Sequence, residues 1–581
     1  MADREMKKIV IVGGVAGGMS AAARARRLSE EAEIIVLERS GYVSFANCGL
    51  PYYLGREIES RDKLLLQTPE TLKKKFNLDV RVLSEATAID PESRKVTIKN
   101  LTTGEIYEES YDDLILAVGA SPLRPPIPGI DRAGIFTLRT IEDAEIIDRW
   151  IEEKRPASVV VAGGGFIGIE MAEQLARRGM KVTLVDASDH VLLPLDTEMA
   201  ELVHLEMEKN GIKLVLNSPI KEMQAPETRG GITPQSCWVV AGEQPAMAAD
   251  LVIMGLGIRP EIALARQAGL ATGQRNGIRV DERLMTSAEH IWAVGDAIEV
   301  VHPVGKNHTL IALGGPANRQ GRIVADNIFG GKQVYKGTLG TAILRVFDLA
   351  VAMTGLNEKQ ARTAGIDYET VSMHPSHHAG YFPGAGKLAM KVIFRRDSGE
   401  LLGAQVIGRE GADKRIDVLA TAMKAGMTVR DLAELELAYA PPFGSAKDPI
   451  NLLGMAGCNL LDGLVSQVRP EELDGMDEND YCVIDVRSAR EREAGFVPGS
   501  MHIALPELRQ SLDRIPENKT VVVYCQSGQR AYYACRFLSQ KGYDVKNLSG
   551  GYLTYRVSDT AGGADGNLLP APAVRSEVST H

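Results

Sequence analysis

The sequence predicts an α/β fold, and three observations carry the prediction. "KKIVIVGGVAGGMSAAARARRL" reads as a strand, a glycine turn and a helix. "SVVVAGGGFIGIEMAEQLARRGMKVTLVDAS" repeats that pattern further along the chain. Near the end, "YCVIDVRSAREREAGFVPGSMHI" and "TVVVYCQSGQRAYYACRFLSQKGY" alternate strand and helix again. Alternation of this kind builds parallel sheets covered by helices.

In the first segment, Ile9 to Val12 suit a buried parallel strand. Gly13, Gly14, Gly17 and Gly18 follow, and the next strand, "EIIVLERS", ends in Glu38. A glycine turn opening a helix, with an acid about 20 residues on, is the dinucleotide fingerprint. The glycines let the backbone approach a pyrophosphate, the helix N-terminus favours its charge, and Glu38 is placed for a ribose hydroxyl. The second segment supplies Gly163, Gly165, Gly168 and then Asp186. Asp186 would repel a 2′-phosphate, which favours NADH while leaving NADPH possible. Two Rossmann-like sites in one chain are therefore expected.

Composition narrows the class. A chain of 581 residues has room for about three to five domains. The apolar fraction of 44% and charged fraction of 24% are ordinary for globular protein. The net charge of −10 argues against bulk nucleic-acid binding. The apolar run in "MADREMKKIVIVGG" is too short for a signal peptide and stops at glycine, and no stretch approaches a membrane helix. The six cysteines are scattered, with no C-x-x-C, so neither a disulfide framework nor a metal site is expected. A reducing cytoplasm fits.

Two further segments point to a flavin in the first site. "LILAVGASPLRPPIPG" (114–129) reads as a strand leading out of the first domain, and "TSAEHIWAVGDA" (286–297) ends a strand at Gly295-Asp296. With the two fingerprints, these ordered motifs resemble the pyridine nucleotide–disulfide oxidoreductases over about residues 7–450. The resemblance implies FAD at 1–115 with 280–335, Asp296 on its ribityl chain, and NAD(P)H at 116–279. It also implies an α+β dimerisation domain at 336–450 and a homodimer. "LAMKVIFRR" and "GELLGAQVIG" read as antiparallel strands turning around Asp397 to Gly399, with helices at 413–437. Residues 451–467 read as a linker, 468–556 as a last α/β domain, and 557–581 as a disordered tail.

"SFANCGLPYY" holds one cysteine, Cys48, just after the first nucleotide unit. Pro51 suits a first helical turn, so Cys48 should feel the positive end of the helix dipole and its pKa should fall. With no second thiol nearby, its partner is the sulfur of a small molecule, or oxygen in a sulfenic acid. The stretch resembles the active site of the coenzyme A–disulfide reductases, matching at Ser44, Asn47, Cys48, Pro51 and Tyr52. In that family the cysteine cycles through a mixed disulfide with coenzyme A. Ser20, Arg24 and Arg27 share one face of the first helix, which the family uses for coenzyme A, and arginine suits phosphate. The resemblance adds Asn318 and Arg319 in "GGPANRQGRIVADNI", Tyr381 in "HHAGYFPGAG", and Tyr439, Lys447 and Asn451 in "AYAPPFGSAKDPIN". The tyrosines are expected at the cysteine of the other subunit, Tyr439 as a proton donor. Lys447 and Asn451 are expected on coenzyme A.

In "VVVYCQSGQR", Cys525 ends an apolar strand, Gln526 to Gln529 form a short loop, and Arg530 opens a helix. Consecutive N–H groups in such a loop make an anion cradle for a thiolate or persulfide. With "IDVR" (Asp485, Arg487) and "VPGSMHI" (Pro498 to Ile503), this resembles the rhodanese sulfurtransferases over residues 468–556. Cys535, on the following helix, reads as packing.

The combined expectation resembles NADH-dependent reductases of coenzyme A persulfide and polysulfide. NADH reduces FAD, and FAD reduces sulfur on Cys48. Cys525 passes sulfane sulfur from a persulfide or polysulfide to coenzyme A, and hydrogen sulfide is released at Cys48. Alternatives are an NADH oxidase or peroxidase using a sulfenic acid, and a redox or sulfur sensor.

Overall fold

The computed structural model describes residues 7–473, 475–477 and 479–558. The chain forms two compact units, Met1–Asp189 with Gly211–Gly340, and His190–Asn210 with Thr341–His581.

The first unit holds two parallel five-stranded sheets. One runs in the order Ile291–Ala293, Asp113–Leu116, Lys8–Val12, Glu33–Leu37, Asp79–Arg81. The other runs Lys213–Val215, Lys181–Val185, Ser158–Ala162, Leu251–Met254, Ile135–Phe136. In each, the strand order reverses beside the strand that precedes the glycine turn, which puts both turns at topological switch points where α/β sheets bind nucleotides. The strands are Val/Ile-rich because both faces are covered, by helices and by an antiparallel meander that shares the core; Ile9, Val10 and Ile11 are fully buried. Gly18 opens the way for its helix to pack: a Cβ there would lie 1.9 Å from Gly13 O. Two antiparallel meanders complete the unit, Ser84–Ser110 and Ile220–Ala249.

The second unit is built on an antiparallel sheet in the order Ala342–Val346, Leu349–Gly355, Leu401–Gly408, Leu388–Arg395, Tyr368–Met373. The expected hairpin is Leu388–Arg395 against Leu401–Gly408. The expected helices are Ala412–Lys424 and Val429–Glu434. A parallel sheet follows, ordered Ser466–Val468, Val545–Leu548, Thr520–Tyr524, Tyr481–Asp485, Met501–His502.

Three boundaries differ from expectation. Helix Thr197–Lys209, placed by sequence in the 116–279 domain, belongs to the second unit. The buried Lys391 ammonium draws it there, pairing with Asp196 at 2.9 Å, Glu198 at 2.5 Å and Glu358. The linker expected at 451–467 is instead mostly helix, Pro449–Leu461, capped by Asp448 and burying Ile450, Leu453 and Gly457. Glycines 454 and 457 serve close packing: a Cβ on Gly454 would lie 2.3 Å from Ala433 N. Ser466–Val468 is already a strand of the last sheet. The tail expected at 557–581 lies outside the described residues from 559 onward, and Val557 and Ser558 end a helix. Among the described residues, no helix is long and apolar enough to cross a membrane.

Candidate active site

The first nucleotide site is braced by its own acid. Gly14 N–H donates to Glu38 Oε2 at 2.8 Å and Ser40 N–H to Oε1 at 2.9 Å. The second repeats the device, with Gly164 and Ser188 N–H groups donating to Asp186 at 2.5 and 2.7 Å. Each carboxylate keeps lone pairs for a ribose hydroxyl. Gly163 and Gly168 are needed by the fold, since a Cβ on either would strike backbone at 2.3 or 1.9 Å. Gly165 is different: a Cβ there meets nothing within 4 Å, so its missing side chain leaves room for a ligand. The residues therefore fit two dinucleotides.

Cys48 sits in a single helical turn, Asn47–Gly49, that leads directly into helix Leu50–Leu54. Ser44 N–H donates to Gly14 O at 2.8 Å, tying the cysteine loop to the first glycine turn. Ser44 adopts a left-handed conformation, φ +47°, a strained geometry that recurs at functional loops. The thiol is exposed, and Asn47 Oδ1 accepts from both the Cys48 N–H, at 3.1 Å, and its Sγ, at 3.7 Å.

The expected fall in the Cys48 pKa is not what the surroundings produce. Desolvation raises it, and the carboxylates of Glu170 and Asp296 raise it further. A five-residue helix has too small a dipole to offset two negative charges. Glu170 was not singled out by sequence. It lies in helix Phe166–Arg177, one turn beyond Gly165, and accepts from Tyr52 OH at 3.1 Å. Gln174 and Arg178 also bond across, to Glu57 and to Leu54 O. The helix of the second nucleotide turn thus packs on the short helix that follows Cys48. Asp296, from the Gly295-Asp296 motif, is brought to the same place, and burial raises its pKa.

Arg139 is a second residue that no motif flagged. It precedes the capped helix Ile141–Lys154 and faces Asp296 and Glu38. Its guanidinium makes no hydrogen bond or ion pair among the described residues, and burial lowers its pKa. A half-buried, uncommitted guanidinium beside the first glycine turn suits a phosphate.

The basic face expected for coenzyme A is partly spent. Ser20 Oγ donates to Asn318 Oδ1 at 2.6 Å, and Arg24 pairs with Asp326 at 2.6 Å. These bonds join the first helix to helix Gly314–Ile328 and offset the Arg24 charge. Arg27 and Arg319 are exposed and make no ion pair among the described residues.

In the second unit, Tyr381 and Tyr439 meet, with hydroxyls 3.0 Å apart, and are 76% and 48% exposed. The bond from Ala379 N–H to Gly444 O holds their two loops together. Lys447 is exposed. Asn451 does not fit its expected place on coenzyme A. It is buried, its amide donates to Leu432 O and Leu435 O, and its Oδ1 accepts from Asp448 N–H. It closes the capping box of helix Pro449–Leu461.

Cys525 directly follows strand Thr520–Tyr524 and is buried. The carbonyls of Cys525, Gln526 and Gly528 turn away from the loop, to Tyr552 N–H, Leu553 N–H and Asn547 Nδ2. In trans peptides the following N–H groups then point inward, as an anion cradle requires. Gly528 takes φ +91° at the loop's end. Arg530 lies beside the sulfur and pairs with Glu491. Asp485 and Arg487 form a buried pair beneath the loop. Cys535 is buried among apolar groups, which drives its pKa far up, in keeping with packing.

Comparison with known proteins places the chain in a family. Residues 7–321 match the pyridine nucleotide-disulphide oxidoreductase family, 341–448 its dimerisation domain, and 469–557 the rhodanese-like domain. The coenzyme A disulfide reductase of Staphylococcus epidermidis is 36% identical over 450 residues, 77% of this chain and 99% of that protein. The structure of reduced CoADR-RHD from Bacillus anthracis superposes with a TM-score of 0.92 at 49% identity, covering 95% of this chain and 98% of that one. The NAD-dependent persulfide reductase of A. fulgidus gives 0.87 at 38% identity, covering 94% and 99%. The chain belongs to the pyridine nucleotide–disulphide oxidoreductase family, as an FAD-dependent member that uses a nicotinamide nucleotide and carries a C-terminal rhodanese domain.

Proposed function

We propose that this enzyme reduces sulfur–sulfur bonds of coenzyme A persulfide, polysulfide or coenzyme A disulfide through Cys48, with NADH favoured as donor. One observation carries the reading. Cys48 is exposed at the junction of the two nucleotide sites, and the other cysteine of its unit, Cys237, is buried. The second sulfur must therefore arrive with the substrate. The named activities of the S. epidermidis and A. fulgidus relatives support this.

When bound, FAD and the nicotinamide nucleotide supply an electron pair. The Cys48 thiolate attacks the inner sulfur of a coenzyme A persulfide; a Cys48–sulfur bond forms, the sulfur–sulfur bond breaks, and hydrosulfide leaves. Two electrons and a proton then cleave the mixed disulfide to coenzyme A thiol and Cys48 thiolate. Arg27 and Arg319, which make no ion pair among the described residues, are cations for coenzyme A phosphates, Lys447 is a further one in the dimer, and Arg139 serves the FAD pyrophosphate. Tyr381 and Tyr439 of one subunit donate hydrogen bonds to the thiolate leaving at Cys48 of the other. The dimerisation domain and the exposed Tyr381, Phe382, Tyr439 and Phe443 support a homodimer.

At the rhodanese site, Cys525 carries the sulfane sulfur as a persulfide. A coenzyme A thiolate attacks its outer sulfur, forming coenzyme A persulfide and releasing the Cys525 thiolate. Intact mass under denaturing, non-reducing conditions tests the reading. We expect a coenzyme A adduct that dithiothreitol removes and Cys48→Ser lacks. Added oxygen on Cys48, with no coenzyme A under any condition, would move the assignment to an oxidase or peroxidase.

A further inference from the structure

Arg530 does not stand free beside Cys525. Its Nη2 and Nη1 donate to Glu491 Oε1 and Oε2 at 2.5 and 2.8 Å, a two-pronged pairing. Glu491 is itself held in place. Ser488 N–H and Oγ donate to its Oε2 at 3.1 and 2.9 Å, the reciprocal cap of helix Ala489–Glu493. The Arg530 and Glu491 side chains are 37% and 31% exposed, so solvent reaches the pair. Glu491 raises the Arg530 pKa, and Arg530 brings Glu491 down to about 2, so both are charged at neutral pH.

The other guanidiniums at the loop are committed. Arg487 is buried and donates to Asp485, Glu491 O, Gln526 and Gly495 O. Arg492 donates to Asp485 and Ser500. Arg530 still reaches the Cys525 sulfur, but Glu491 offsets its charge, so the guanidinium and the backbone dipoles together hold one negative charge and leave no net cation for a second. That suffices for a thiol persulfide, which is at most a monoanion at its sulfur. It falls short for thiosulfate, a dianion that must approach a thiolate. Beside the loop, Tyr533 is 52% exposed and accepts from Gln529 at 3.2 Å, offering aromatic surface to the carbon chain of an organic donor.

We infer that Glu491 sets the donor specificity of the Cys525 site, excluding dianionic inorganic donors such as thiosulfate in favour of thiol persulfides. The inference rests on the reading of Cys525 as the sulfane-sulfur carrier. In the step at issue, the Cys525 thiolate attacks the outer sulfur of the persulfide R–S–SH. The new bond makes Cys525–S–SH, the sulfur–sulfur bond of R–S–SH breaks, and the thiolate R–S⁻ leaves. With thiosulfate the same attack gives the Cys525 persulfide anion and releases sulfite.

The test uses the full chain with Cys48→Ser, exposed briefly to thiosulfate or to glutathione persulfide. The rate of addition of one sulfur atom is read by intact mass. The parent should load faster from glutathione persulfide, and equal or faster loading from thiosulfate would overturn the inference without any further variant. Glu491→Gln should raise the thiosulfate-to-persulfide rate ratio about fivefold, the effect of one charge at about 4 Å in a water-like dielectric. Glu491→Asp, which keeps the charge, should restore the parent ratio. A Glu491→Gln variant that slows or speeds both donors by one factor has lost only structure, and the inference fails. Loading that persists in Cys525→Ser would instead overturn the carrier reading itself.

Discussion

Protein packed around the solvent-reached Cys48 thiol partly desolvates it and raises its pKa, and the carboxylates of Glu170 and Asp296 push the same way, so less of it is thiolate at neutral pH than in a free cysteine. Removing one charge should bring it back. Glu170→Gln is expected to shift the pH curve for iodoacetamide labelling of Cys48 to lower pH, with faster labelling at neutral pH. An unmoved curve would mean that Glu170 does not act on the thiol. At the second nucleotide site, Asp186 braces the turn while presenting negative charge. Asp186→Ser should raise the NADPH-to-NADH ratio of kcat/KM about tenfold, from one charge removed a few ångström from a 2′-phosphate. Steady-state kinetics with both nucleotides checks this.

At the level of the element, one glycine turn separates folding from binding. Gly168 lets helix Phe166–Arg177 lie on its strand, because a Cβ there would be 1.9 Å from Gly163 O. Gly168→Ala should therefore lower thermal stability by several degrees as well as lose NADH. Gly165 has open space at its Cβ position and φ −79°, which any residue adopts. Gly165→Ala should leave the melting temperature unchanged while raising KM for NADH. Thermal melts and kinetics on the two variants check the pair. The helix Pro449–Leu461 teaches the same distinction: its glycines are apposed to Leu432, Ala433 and Val429, a close fit that composition alone reads as flexibility.

Across the second unit, the antiparallel sheet and the last parallel sheet are joined by buried polar contacts. His374 Nε2 meets Thr554 Oγ1 at 2.9 Å, Gln467 donates to Thr370 O at 2.6 Å, and Arg469 pairs with Glu358. Burial holds His374 neutral, with its pKa down to about 3, and Lys387 and Arg556 push the same way. A folded-state pKa below the unfolded value near 6.5 means that stability is full above about pH 6.5. It is then lost as pH falls, by about 2 kcal/mol at pH 5. His374→Gln, which cannot take up the proton, should flatten that part of the pH–stability curve in urea unfolding of the full chain. An identical slope in both proteins would assign the acid sensitivity elsewhere.

The sequence by itself determined what is local. Two glycine turns with their acids, Gly295-Asp296, the lone Cys48 in its decapeptide and the C-x-x-G-x-R loop at Cys525 are each contained in one short stretch. Backbone geometry and residue chemistry leave such stretches few readings. Tertiary structure decided what depends on distant neighbours. Glu170 comes from another nucleotide unit to stand by Cys48, and Asp326 takes the charge of Arg24. Helix Thr197–Lys209 follows a buried lysine into the second unit. Asn451 becomes a cap, and Glu491 closes on Arg530. Electrostatic effects act through space and fall off with distance, so the sign of a pKa shift or the worth of an arginine is set by groups far away in sequence. Only the folded chain brings them within a few ångström.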